Sequence, residues 1–281
     1  MQLDLVDVFG SRPMKGNPLA VVHGADGLGD EEMLRLTQWL GFSETTFLLP
    51  PQDGRADYRV RIFCPARELP FAGHPTLGTC HAWLAAGGKP KRDGVVVQEC
   101  GVGLVDISRR DGLLAFKAPP LVRTGPLSDA ERAEAARFAG VPQEAVVEAV
   151  HIANGPLWQL LRLRSADDVL AAAPEPKAPE GTEIGLAGPY AEGSGPAWEI
   201  RAFFVPGQGR LAEDPVTGSL NAGVAMHLFA SGLAQGSYIA AQGRKVGADG
   251  HVHCYADGDG AVWIGGRVET IAAGAELPVL A

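Results

Sequence analysis

Glu68-Leu-Pro-Phe-Ala-Gly-His-Pro-Thr-Leu-Gly-Thr-Cys-His-Ala-Trp-Leu-Ala-Ala-Gly87 has an echo in Glu213-Asp-Pro-Val-Thr-Gly-Ser-Leu-Asn-Ala-Gly-Val-Ala-Met-His-Leu-Phe-Ala-Ser-Gly232. At one fixed offset Glu68 meets Glu213, Pro70 meets Pro215, Gly73 meets Gly218, Gly78 meets Gly223, Ala85 meets Ala230 and Gly87 meets Gly232. Each segment follows a strand-like run of similar pattern, Tyr58-Arg-Val-Arg-Ile-Phe63 before one and Trp198-Glu-Ile-Arg-Ala-Phe203 before the other, although the second connecting loop is five residues longer. Two halves built on one plan are expected.

Past their opening acids, both segments lack formal charge. A helix without a polar face has to be covered all round, and strands wrapped about it would do this. The predicted fold is α+β, with two pseudo-symmetric lobes, each a mixed sheet rolled around a central helix. The lobes are expected to span residues 1–118 and 119–281, divided at the Pro- and Gly-rich stretch Ala118 to Pro126, with the final strand able to return to the first lobe. Around this frame Leu3 to Phe9, Leu19 to Val22, Phe47 to Leu49, Tyr58 to Phe63, Val95 to Val97, Gly103 to Ile107 and Leu113 to Lys117 have strand character. Asp30 to Leu40 has helical spacing with Asp30 as its cap and Gly41 as its stop, and Asp129 to Ala139 reads as a second surface helix.

The two central helices are expected to begin at Gly73-His74-Pro75 and at Gly218-Ser219. Pro75 suits a first helical turn, where its missing N–H costs nothing. Helix starts offer unpaired N–H groups and partial positive charge, and glycines there admit a ligand close to the backbone. If the two starts faced each other they would clamp a compact anion; the glycines would serve equally to let helix pack on sheet. A carboxylate-bearing metabolite fits better than a nucleotide, because neither loop has phosphate-cradle spacing and Gly101-Val-Gly103 lacks the rest of a dinucleotide fingerprint.

Composition narrows the functions further. The 281 residues carry 33 acidic and 24 basic side chains, a net charge of −9, and no basic stripe that would track a nucleic acid or an anionic membrane. Acids in the opening Met1-Gln-Leu-Asp-Leu-Val-Asp7 argue against a secretory leader, so a cytoplasmic protein is expected. Pro215 to Gly243 contains no Asp, Glu, Lys or Arg, but its glycines and polar residues break it too often for a membrane span. Cys64, Cys80, Cys100 and Cys254 are far apart and form no metal-binding or disulfide pattern, so buried free thiols are expected. His251 and His253 could share one strand face, but no third ligand accompanies them and no metal is expected there. His81 and His227 read as satisfied core residues of the two helices. No nucleophile elbow supports a hydrolase.

Glu44 lies among uncharged residues in Gly41-Phe-Ser-Glu-Thr-Thr-Phe-Leu-Leu49. Drawn out of water it would have its neutral form favoured, as a proton-transfer group requires; left in water it is a surface acid or a helix-to-strand cap. His74 could shuttle a proton, donate to a substrate, or cap its turn. Asp214 could orient a ligand or a base, or offset the helix dipole. Thr217 and Ser219 carry hydroxyls that could cap the second helix or touch substrate.

The ordered set Asp7-Val-Phe9, Gly16-Asn-Pro18, Ser43-Glu-Thr45, Glu68-Leu-Pro-Phe-Ala-Gly-His74 and Glu213-Asp-Pro-Val-Thr-Gly-Ser219 resembles the PhzF-like phenazine biosynthesis family over nearly the whole chain. The resemblance implies the diaminopimelate-epimerase-like fold, a homodimer, no metal or organic cofactor, and an isomerase that shifts a proton on a small, carboxylate-bearing substrate, cyclic ones included. It gives Glu44 the acid/base role, with His74 and Asp214 assisting and Gly73, Gly218 and Ser219 holding the substrate. The related epimerases use a thiol at each helix start, and neither matching loop here contains cysteine. Gln242-Gly-Arg-Lys-Val-Gly247 departs from the family's usual stretch, which puts a substrate contact from that loop in doubt. The competing functions are a non-catalytic binder of small acids and a thiol-independent amino-acid epimerase.

Overall fold

A computed structural model describes residues 1–110 and 112–278. The chain divides into two compact units, one formed by Met1–Lys117 with the residues from Gly265 onward, the other by Ala118–Ile264. The fold is α+β, and the strand pairings of the two units follow one order.

In the first unit the elements are β1 (Gln2–Val8), β2 (Asn17–His23), α1 (Asp30–Leu40), β3 (Thr45–Leu49), β4 (Tyr58–Cys64), β5 (Arg67–Leu69), α2 (Gly73–Ala85), β6 (Val95–Cys100), β7 (Gly103–Arg110) and β8 (Leu113–Lys117). β1 and β2 run antiparallel, β2 and β3 parallel, β3 and β4 antiparallel, β4 and β5 antiparallel, β4 and β6 parallel, and β6 and β7 antiparallel. The second unit holds β9 (Arg123–Pro126), α3 (Asp129–Ala139), β10 (Val146–Ala153), β11 (Gln159–Leu163), α4 (Ala166–Ala171), β12 (Glu183–Pro189), β13 (Trp198–Phe204), β14 (Ala212–Asp214), α5 (Gly218–Ala230), β15 (Ser237–Gln242), β16 (Gly250–Ala256) and β17 (Val262–Gly266), in which the chain returns to the first unit. From β10 to β16 the same order of antiparallel and parallel pairings recurs. Strand β18 (Val268–Glu276) pairs with β1 as β9 pairs with β10. The stretch expected to be a linker therefore contains an edge strand. Pro126 is tolerated there because an edge strand leaves N–H positions without a ladder partner.

The echoed segments give α2 and α5, both 13 residues long with matching ends. In α2 the residues from Gly73 to Cys80 are all buried, and the helix packs against β1, β2, β3, β6, β8 and β18. The matched glycines explain themselves by contact. A Cβ on Gly78 would lie 2.5 Å from Leu19 Cδ2, and one on Gly223 would lie 2.7 Å from the carbonyl oxygen of Ile152, so both helices sit closer to their strands than alanine permits.

The outer layers differ. α1 covers β3 and β4 through Met33, Leu36, Phe47 and Phe63. α3 and α4 cover the second unit through Phe138, Val169, Leu186 and Phe203. Asp30 does not cap α1; Gly29 does, with its N–H donating to Glu32 Oε2 at 2.7 Å, while Asp30 pairs with Arg61. The six-residue α4 lies beneath a stretch with little helical periodicity and is held at its start by Ser165, whose Oγ accepts from the Asp168 N–H at 3.1 Å.

The echoed glutamates also have a structural task. Arg61 Nε and Nη2 donate to the two oxygens of Glu68 at 2.8 and 2.6 Å. Arg201 does the same to Glu213 at 3.0 and 2.7 Å. Each forked pair ties a long strand to the short strand that leads into the central helix. The second pair is buried and also fixes Arg201 to the carbonyls of Val169 and Ala172. Removing one partner of a buried pair strands the other's charge. Glu213→Ala is expected to lower unfolding free energy by about 3–5 kcal/mol. Glu68→Ala, whose side chain is 42% exposed, should cost roughly 1 kcal/mol or less in the same denaturant titration.

Candidate active site

In the first unit, Glu44 sits between α1 and β3, and His74 is the second residue of α2. Glu44 Oε2 lies 3.4 Å from His74 Nε2. The His74 imidazole is buried, and its Nε2 makes no hydrogen bond. Burial drives its pKa down to about 3, so at neutral pH an uncharged imidazole stands beside Glu44. The 3.4 Å separation is thus a contact between a carboxyl group and a neutral ring; an ion pair would need a proton that the buried ring refuses. The side chain of Glu44 keeps 18% of its exposure, enough to be reached from one side.

The supports of this pair come from the family-like motifs. Asp7 is buried and accepts from the N–H groups of Lys15 and Gly16 at 3.0 and 2.9 Å, which pins the loop between β1 and β2; burial raises its pKa despite those bonds. Asn17, at the end of that loop, accepts from Ser43 Oγ at 3.5 Å, one residue before Glu44. Behind α2, Tyr58 donates to Gln98 Oε1 at 3.0 Å, and Gln98 Nε2 donates to Thr76 Oγ1 at 3.0 Å. These bonds hold the first turn of α2 from its buried side. Gly73 opens the helix, Ala72 provides no side-chain cap, and the first turn holds no acid. The positive end of α2 is therefore not neutralised from within its own sequence.

In the second unit Asp214 ends β14 and Gly218 opens α5, again with no side-chain cap and no acid in the first turn. Thr217 and Ser219 thus do not cap the helix. Thr217 donates from Oγ1 to Asp214 Oδ2 at 2.5 Å. Ser219 Oγ accepts from Trp158 Nε1 at 3.0 Å, and its carbonyl accepts from Asn154 Nδ2 at 2.8 Å. Because an indole N–H can only donate, the Ser219 hydroxyl proton is directed elsewhere. Sequence reasoning did not single out Trp158, Asn154, Asn221 or Gln98, and met Gln242 only as the first residue of the departing stretch Gln242–Gly247. Gln98 and Gln242 could have been found, since each is an amide directly after a three-residue apolar run, Val95-Val-Val-Gln98 and Ile239-Ala-Ala-Gln242.

The structure thus brings together Glu44, His74 and Gly73, and separately Asp214, Gly218 and Ser219. The thiols are elsewhere. Cys80 and Cys254 are buried, with pKa pushed up to about 12, which removes them as bases; Cys64 and Cys100 are only half-buried. His81 and His227 are also half-buried rather than core, and bond to Thr270 Oγ1 at 2.9 Å and Glu148 Oε2 at 3.2 Å. His251 Nε2 lies 3.9 Å from Asp249, and among the described residues no group of three or more His, Cys, Asp and Glu is placed to hold a metal ion.

The model of the family described as phenazine biosynthesis-like protein matches residues 6–274. The chain belongs to that family. Trans-2,3-dihydro-3-hydroxyanthranilate isomerase of Pseudomonas aeruginosa is 33% identical over 266 residues, 91% of this chain and 90% of that protein. Antisense-enhancing sequence 1 of Schizosaccharomyces pombe is 37% identical over 180 residues, and the match spans only 60% of either protein. Among solved structures, a Pseudomonas aeruginosa protein described as a predicted epimerase superposes with TM-score 0.77 at 27% identity, covering 99% of both chains. A structure from Agrobacterium radiobacter described as a probable proline racemase shares the fold at TM-score 0.62 and 14% identity, covering 99% of this chain and 93% of its own. The fold of this family member is accordingly diaminopimelate-epimerase-like, and its kinship makes it an enzyme of the isomerase and epimerase class. Among the described residues no helix is long and apolar enough to cross a membrane.

Proposed function

We propose that this family member shifts a proton between carbons of a small carboxylate-bearing metabolite, using side chains alone, with Glu44 as the group that removes and returns the proton. The observation that carries the reading is the placement of Glu44 Oε2 3.4 Å from His74 Nε2, at the uncapped start of α2. A carboxylate there can take a proton from a carbon whose electron pair spreads into a conjugated acid, exchange it with water that reaches the partly exposed carboxyl group, and deliver a proton to another carbon, so that the composition does not change. The uncapped helix start favours the negative charge that develops on the substrate. His74 stays neutral and acts through its Nε2, which makes no hydrogen bond within the protein and can make one to the substrate. In the second unit we assign Asp214, Gly218 and Ser219 as substrate-binding and orienting groups, on the motif that carries the family resemblance.

Trans-2,3-dihydro-3-hydroxyanthranilate, named for the Pseudomonas aeruginosa relative, is the first substrate to try. In heavy water the enzyme is expected to place deuterium on a ring carbon of this compound, followed by NMR. A protein that only sequesters small acids would perturb the spectrum without exchange, which would refute the proposal. Thiol-independent epimerisation would appear instead as a change of optical rotation in an amino acid.

A further inference from the structure

Gln242, the last residue of β15, is fully buried and uses its amide completely. Its Oε1 accepts from the Thr217 N–H at 3.1 Å and from Asn221 Nδ2 at 2.8 Å. Its Nε2 donates to the Asp214 carbonyl at 3.1 Å and to Thr217 Oγ1 at 2.9 Å. Two of these partners are backbone groups whose roles cannot change: the Thr217 N–H only donates, and the Asp214 carbonyl only accepts. The orientation of the Gln242 amide is fixed by them. Asn221 is fixed likewise, because its Nδ2 also donates to the Thr217 carbonyl at 2.9 Å.

The consequence passes to Asp214. A threonine hydroxyl has one proton, and with Gln242 Nε2 donating to its oxygen, that proton is left for Asp214 Oδ2, 2.5 Å away. We infer that Gln242 is a positioning residue that commits the Thr217 hydroxyl to Asp214, and so holds the Asp214 side chain as a hydrogen-bond acceptor that selects an N–H or O–H group of the substrate. This rests on the assignment of Asp214 to the site. The local packing serves the same end. Gly243 has φ +97°, and a Cβ there would lie 2.4 Å from the Pro215 carbonyl, while one on Gly250 would lie 2.3 Å from Val216 Cγ2. The segment between Asp214 and Thr217 is thus pressed onto the strand pair that carries Gln242.

The test uses the whole chain and has one arm that needs no substrate. A hydroxyl proton held in a short bond to a carboxylate gives a strongly downfield, slowly exchanging proton resonance. The wild type and Thr217→Ser should show it, Thr217→Val and Asp214→Asn should lose it, and Gln242→Met should broaden or lose it while the fold, checked by circular dichroism, persists. An unchanged signal in Gln242→Met, or none in a folded wild type, overturns the inference. In the kinetic arm, with trans-2,3-dihydro-3-hydroxyanthranilate, Thr217→Val should lower kcat by about 10- to 100-fold, in line with small misplacements of reacting groups. Thr217→Ser should restore it to within about threefold, and Gln242→Met should add little in an Asp214→Asn background. If Asp214→Asn itself turns over like wild type, the assignment of Asp214 fails, and the resonance still decides the role of Gln242. If Asp214→Asn is impaired but Thr217→Val is not, the positioning role of Gln242 and Thr217 is refuted.

Discussion

Glu44→Gln is expected to lower kcat for trans-2,3-dihydro-3-hydroxyanthranilate by about 10²- to 10⁴-fold, the range over which a positioned general base contributes to proton transfer. Glutamine keeps the length and planar end of glutamate, so its contact with His74 Nε2 at 3.4 Å and its place before β3 are retained while the proton-accepting charge is removed. KM should change little, because binding is assigned to the helix starts. Deuterium exchange into bound substrate should fall in parallel with kcat, and calorimetric titration should show that the variant still binds. Turnover within about threefold of wild type would remove Glu44 from the mechanism, and binding without any exchange in the wild type would leave a sequestering protein. The contrast between Glu44 and His74 is what makes the outcome informative: a ring held neutral by burial cannot take over as a cationic acid at working pH.

The frame that holds Glu44 was legible because uncharged helices are rare and need full enclosure. The echo between Glu68–Gly87 and Glu213–Gly232 led to two helices with matching ends, and Gly78 and Gly223 recur because each faces a strand at a distance that excludes a Cβ. What the sequence hid was non-local. Arg123–Pro126 reads as a linker by composition, and becomes a strand only because β10 offers it an edge. The length of α4 is below what periodicity can register, and its start depends on one serine. At the site, Glu44 is ambiguous in its own surroundings, since nothing within a few residues shows whether water reaches it. That is decided by His74, thirty positions later, and by the Asp7–Gly16 and Asn17–Ser43 contacts that set the neighbouring loop. Thr217 was legible as a hydroxyl at a helix start but not as a relay, because its direction is set by Gln242 on a later strand.

Acid should destabilise the protein in a manner specific to His74. Its imidazole takes up a proton near pH 6.5 when unfolded and near pH 3 when folded. Between those values the unfolded chain binds a proton that the native state refuses, so stability falls as pH falls through the window, and the loss is complete below pH 3. At about 1.4 kcal/mol per unit of difference, the penalty should reach roughly 2 kcal/mol at pH 5 and roughly 3 kcal/mol at pH 4. Asp7 and Glu199, whose pKa values burial raises, push the other way, because their folded forms hold protons more tightly than the unfolded chain. The wild-type curve alone therefore mixes opposing contributions. The measurement is the difference between urea midpoints of wild type and His74→Gln across pH 4 to 7. Glutamine does not titrate, so any fixed packing cost cancels from the slope, and the variant should gain on wild type steadily as pH falls. Parallel curves would mean that His74 accepts its proton inside the fold, pairing as a cation with Glu44 at 3.4 Å. The imidazole and the carboxylate would then share one proton, and acid and base roles would have to be divided between them.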